Sequence, residues 1–183
     1  MIDFIIKDNE DVVNNISADV LTNTLSEKVN IDLVNFMIEN QEDIEVTYHK
    51  NLDKYRFDFV DITELVLKYI ESESDRKFLE GNKFSANIDL DLENNRFVLF
   101  HAIDGIGPIV DSDLNESEKL DLIKEFKEFQ KELKTLGFKL EPIDDSSMMS
   151  LVSENLSDLT SDTLAKAVSK IEKHELEKPI LYY

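Results

Sequence analysis

Three carboxylates, Asp89, Asp91 and Glu93, stand at every second position of the stretch KFSANIDLDLENNRFVLFHAI, residues 83–103. Side chains on a strand alternate between its faces, so this spacing sends all three the same way. Carboxylates in such a row have two chemical uses: holding a divalent cation or meeting basic side chains. A Mg²⁺ site, even with Asp104 or Asp111 nearby, needs oxygens converging at about 2.1 Å on one ion. Alternate strand residues instead stand about 6.7 Å apart and point in parallel. The row therefore suits separate contacts to Lys and Arg side chains of another protein, with a plain solvated face as the simpler expectation.

The remaining groups with chemical potential do not converge. Asp111, Asp113 and Asn115 match the opening of a calcium-binding EF-hand loop. Glu116 then stands where that loop needs Gly, and Leu122 where it needs a bidentate Glu. A polar loop leading to a helix cap accounts for them. The GIGP of residues 105–108 has neither the GK[ST] of a P-loop nor the GxGxxG of a dinucleotide site. His49, His101 and His174 each lack a second His or a carboxylate at ligand spacing. His101 falls on the apolar face of its strand, where a hydrogen-bonded core histidine is the usual outcome and a general base the alternative. There is no Cys, which removes disulfides, thiol nucleophiles and thiolate metal sites. No catalytic residue, metal or cofactor is expected.

Charge is the strongest functional signal. The 183 residues carry 40 acidic and 20 basic side chains, a net charge of −20. The acids run along the whole chain rather than gathering in a tail. Such a balance repels nucleic acid and anionic membranes and favours cationic partners. The start, MIDFIIKDNE, has no basic n-region or long apolar run, and no stretch reaches the length of a membrane span. The expected setting is cytoplasmic, the host cytoplasm if the protein is viral.

The elements that must position these residues are legible from periodicity. In residues 83–103, Phe84, Ala86, Ile88, Leu90 and Leu92 alternate with polar residues. Asn94-Asn95 supplies a two-residue type I′ turn, because Asn tolerates positive φ. That turn pairs Glu93 with Arg96, Leu92 with Phe97, Leu90 with Leu99 and Ile88 with His101. The return strand is apolar on both faces, which places 96–103 inside a sheet. Residues 84–92, polar and acidic on one face, are expected nearer its edge. Residues 43–49 and 55–59 form a second hairpin, and residues 2–6 a short strand, with a polar connection over 8–15.

Helices are expected from Ser17 as cap to about Asn40, with Asn30 as a possible break, and from an Asp61/Glu64 capping box. That second helix buries Ile62, Leu65, Val66, Tyr69 and Ile70. A third, capped by Asn115 and Glu118, carries the stripe Leu122, Phe126, Phe129, Leu133 and Leu136 and stops at Gly137 in a Schellman turn. A short strand at 138–143 should lie at an edge because of Pro142. Two shorter helices fit 146–156, capped by Asp145, and 161–176, capped by Thr160 or Ser161. The hairpin–helix order at 43–72 and 83–136 suggests a ββα repeat.

The expected fold is therefore α+β. An antiparallel sheet of two β-hairpins has helices mainly on one face over residues 1–143. A helical C-terminal section at 144–183 docks on the same domain. The expected function is a non-enzymatic acidic protein that engages a basic protein surface through Asp89, Asp91 and Glu93. Its partner would be a nuclease or a nucleic-acid-binding protein, as for a nucleic-acid-mimicking inhibitor or an immunity-type protein. Small phage proteins of the anti-restriction or anti-CRISPR kind are similar in charge, though no motif supports that likeness. The alternative is a structural or assembly subunit of a viral particle or multi-protein complex. In that case the apolar ending KPILYY and the C-terminal section would form the docking surface, for a homo-oligomer as well.

Overall fold

The computed structural model describes residues 3–7, 13–17, 23, 25–39, 44–49, 54–59, 61–81, 84–142 and 148–177. The elements are β1 (Asp3–Lys7), β2 (Val13–Ser17), α1 (Ile31–Glu39), β3 (Ile44–His49), β4 (Lys54–Phe59), α2 (Thr63–Leu67) and α3 (Glu73–Glu80). There follow β5 (Ala86–Asp91), β6 (Arg96–Asp104), α4 (Gly107–Val110), α5 (Glu116–Thr135), β7 (Lys139–Glu141), β8 (Met148–Ser153) and α6 (Ser161–Glu177). Among the described residues, two strands followed by helix occur four times. The strands form one eight-stranded sheet in the order β2-β1-β3-β4-β5-β6-β8-β7. Neighbours are antiparallel except β1 and β3, which run parallel. The α+β class holds, as does the antiparallel sheet with helices on one face. Phe57, Ile88, Leu90, Phe97 and Leu151 of the sheet join Leu33, Val66, Leu79, Phe129, Leu133 and Val168 of the helices in a single core.

The central hairpin forms, but with a different turn. Asp91 faces Arg96, Leu90 faces Phe97 and Ile88 faces Leu99, so four residues, 92–95, make the loop. A two-residue turn would need positive φ at both asparagines, whereas here only Asn95 has it, at 56°. The Asp91 carboxylate accepts from the Asn94 N–H at 3.1 Å and its side-chain amide at 2.9 Å, holding the wider turn. The expected edge position of 84–92 does not hold, because β5 lies between β4 and β6. Its polar face comes from paired charges, not from an edge. The interior placement of β6 holds.

Local signals decided several elements as expected. Asn115 caps α5 by accepting from the Glu118 N–H at 2.9 Å, and its own amide meets the Glu118 carboxylate. Gly137 has φ 90°, and the Phe138 N–H reaches the Leu133 carbonyl at 3.1 Å, the Schellman arrangement. Strand β7 ends before Pro142 and lies at the sheet edge. Thr160 caps α6, accepting from the Thr163 N–H at 3.0 Å.

Other expectations need correction. Ser17 ends β2 rather than capping a helix, and the residue that caps α1 is Asn30, whose side chain accepts from the Asp32 N–H at 2.8 Å. Asp61 accepts from the N–H of Thr63 at 2.9 Å and from its hydroxyl, and the cap residue of α2 is Ile62 rather than Asp61. Helix α2 is short, and carbonyls at its end and just beyond it are satisfied from outside. The Arg76 guanidinium donates to the Leu67 and Ile70 carbonyls at 2.6 and 3.1 Å, and the Ser169 hydroxyl to Val66 at 2.6 Å. The polar run near Ser72 begins α3 instead of ending a helix, with Ser72 as cap.

The helix expected at 146–156 is strand β8, inserted between β6 and β7. Ser150, Leu151, Val152 and Ser153 are all buried, as in a strand covered on both faces. Asp145 and the ending at 178–183 lie outside the described residues. Among the described residues no helix is long and apolar enough to cross a membrane.

Candidate functional site

The three expected contact residues are not brought together on one open face. Asp89 is 2% exposed. Arg56, opposite it on β4, donates through Nε to Oδ1 at 2.7 Å and through its terminal nitrogen to Oδ2 at 3.1 Å. Lys54 stands 3.7 Å from the same carboxylate. The bidentate hydrogen bond to Asp89 holds the Arg56 pKa above its ordinary value. The guanidinium also lies over the Phe100 ring, 5.1 Å from its centroid. The expected solvated acidic row is thus corrected for Asp89, which is an internal partner of the sheet. Asp91 is half-buried and holds the hairpin loop, while Glu93 is exposed within that loop, beyond the end of β5.

Across β6, β8 and β7 this face is tiled in the same way. Arg96 pairs with Glu141, and Lys139 bridges Glu141 at 3.1 Å and Glu154 at 2.6 Å. Hydrogen bonds with these two carboxylates raise the Lys139 pKa, and the one to Lys139 lowers that of Glu154. Beneath the long side chains, Val98 and Val152 face each other across β6 and β8 and are buried. Acid and base are close to balance here, so the surplus of negative charge lies elsewhere.

Part of that surplus surrounds α4 and the first turns of α5. Asp111, Asp113, Glu116, Glu118 and Asp121 are all exposed. Interleaved with them are Ile106, Val110 and Leu120, exposed by 42%, 50% and 65%. Lys119 folds back to donate to the Val110 carbonyl at 2.9 Å, tying the start of α5 to α4. Asp111 ends α4 and Asn115 caps α5, so two of the three EF-hand-like residues serve helix ends. Among the described residues no group of His, Asp and Glu is placed to hold a metal ion.

A second feature sits where β6 bulges. Leu99 faces Leu151 and Ile103 faces Met149, so residues 100–102 of β6 stand against Ser150 alone. His101 takes φ 52°, its N–H donating to the Ser150 hydroxyl at 3.3 Å, and it is exposed. Its expected place on the apolar face is corrected, because the bulge breaks the alternation that put it there. Beside the bulge is a cavity of about 70 Å³, lined by Phe84, Leu99, His101, Ala102, Val168, Ile171 and Glu172 among others. Burial, and secondarily Glu175, pushes the Glu172 pKa up to about 7. Glu172 escaped notice in the sequence, although a signal existed: it is the third member of the i, i+4 row Leu164, Val168, Glu172.

One further groove, of about 260 Å³, lies between α5 and α6, where His174 stacks on Phe129 at 4.4 Å among Glu125, Glu128 and Glu132. No family model, curated protein or solved structure matches this chain.

Proposed function

We propose that this is a non-enzymatic acidic binding protein that engages a basic protein surface, with residues 106–121 as its principal contact. The observation that carries this reading is that residues 106–121 expose three large apolar side chains, Ile106, Val110 and Leu120, in the same stretch as five exposed carboxylates. An apolar centre with a polar rim is the usual anatomy of a protein interface, and exposed large apolar side chains in a group mark a docking surface. The acidic rim selects a partner rich in Lys and Arg, such as a nuclease or another protein that grips phosphates. Inhibition by imitation of nucleic acid, or immunity to a basic toxin, are the biological forms of such an interaction, and the cytoplasm of a cell or infected cell is its proposed setting. Of the three acids first read from the sequence, Glu93 remains available as a peripheral contact. Asp89 is committed to Arg56.

The test is a native pull-down eluted in salt steps, with wild type and two variants. One carries Asp113, Glu116, Glu118 and Asp121 changed to Lys; the other carries Ile106→Ser, Val110→Ser and Leu120→Ser. A basic partner released at moderate salt, and lost by about tenfold or more in affinity with either variant (~1.4 kcal/mol), is the expected result. Partners retained at high salt and indifferent to the charge reversal would instead favour the structural or assembly subunit.

A further inference from the structure

We propose that the cavity beside the β6 bulge receives one primary ammonium or guanidinium group, the tip of a Lys or Arg side chain of the basic partner, against the Glu172 carboxylate. This rests on the reading of the protein as a binder of basic surfaces and gives that reading a specific anchor. Three observations converge on it. The first is size. About 70 Å³ holds several waters, since one needs roughly 10–15 Å³, and that is the scale of the end of a basic side chain. The second is lining. Phe84, Leu99, Ala102, Val168 and Ile171 offer an apolar sleeve of the kind that receives methylene stems. The third is the carboxyl itself. Asp89, Glu141, Glu154 and Asp162 each have a Lys or Arg within 4 Å. Glu172 is half-buried and makes no ion pair or side-chain hydrogen bond among the described residues, and the charge that helps raise its pKa is another carboxylate, Glu175.

A cation–carboxylate contact is stronger away from bulk water. In the free protein Glu172 is part-protonated at neutral pH, and a bound cation requires the ionised form, so binding releases a proton. Affinity therefore rises with pH through about 7. The cavity lining also includes His101, and Glu175 acts from the same helix.

The experiment uses the full chain and two probes of equal shape, n-butylammonium chloride and 1-butanol, followed by amide NMR. Butylammonium is expected to shift Ala102, Val168 and Ile171 saturably and to bind about tenfold more weakly at pH 6 than at pH 8. Butanol should bind at least tenfold more weakly at pH 8. Glu172→Gln, nearly isosteric, should keep the spectrum dispersed and lose the preference for the cation. Equal binding of the two probes, or no dependence on pH in the wild type, overturns the proposal, as does an unchanged preference in Glu172→Gln. If butylammonium fails while charge reversal at 113–121 still releases a basic partner, the anchor is wrong and the binding function stands. If butylammonium binds at Glu172 and no basic partner is retained, the anchor stands as a cation site and the function falls.

Discussion

Asp89 shows how a residue's role depends on a neighbour that the linear sequence hides. Its spacing with Asp91 and Glu93 is real, but Arg56 is 33 residues away and arrives only through the β4–β5 register. Removing that partner should hurt. Arg56→Leu leaves a 2% exposed carboxylate with only the more distant Lys54, and the expected loss is about 1–3 kcal/mol, moderated because Arg56 is itself 40% exposed. Urea unfolding checks this, and the double variant with Asp89→Asn should recover part of the loss. Glu172 sets the opposite case. Its folded pKa of about 7 lies above the ordinary carboxyl value, so the folded state holds the proton more tightly. The associated stability is complete below about pH 4 and is lost as pH rises through 7. The decline should amount to about 1–2 kcal/mol after allowance for solvent screening. Unfolding at pH 5 and pH 8 should therefore show a smaller fall in Glu172→Gln than in the wild type.

Elements whose ends are decided locally were legible. Helix α5 announces itself through Asn115, its apolar stripe and Gly137, all within one stretch of chain. Asn115→Ala should cost about 1 kcal/mol. Gly137→Ala should cost a similar amount, about 1–2 kcal/mol, because a Cβ at φ 90° is strained even though nothing lies within 4 Å of it. Thermal unfolding reads both. Elements completed by distant partners were not legible. Helix α2 ends where Arg76 of α3 and Ser169 of α6 take its carbonyls, a stop signal written elsewhere in the chain. Arg76→Ala should remove the donor to the Leu67 carbonyl and to that of Ile70 beyond it, and cost about 1–2 kcal/mol, again by urea unfolding. The stretch MMSLVS of β8 has no alternation of apolar and polar residues to mark it as a strand. Its strand character comes from β6 and β7 on either side.

Across the described residues, the repeated strand–strand–helix order is visible from sequence in two places and occurs in four. The first and last copies were hidden by a short polar strand, β2, and by β8. The charge of −20 was legible as a number, but its distribution was not. Cross-strand pairs across β4 to β8 balance much of the charge on one face there, while the acids of residues 111–121 are exposed. Truncation after residue 147 would strip β8 from both β6 and β7 and remove α6 from the core. Such a chain should lose its cooperative unfolding transition and aggregate, as followed by circular dichroism and size-exclusion chromatography.

The hairpins lie across the sheet in the order in which they occur along the chain. A ribosome therefore releases them in the order in which they assemble, each new hairpin laid on the margin left by the one before. The exception is the last, where β8 must enter between β6 and β7. The apolar margin of β6 waits from the emergence of Asp104 until Met148 follows, a few seconds at about 5–20 residues per second. During that interval the nascent chain presents an open template for pairing with its neighbours on the same message, and α5, whose capping signals are all local, is the segment able to fold while it waits.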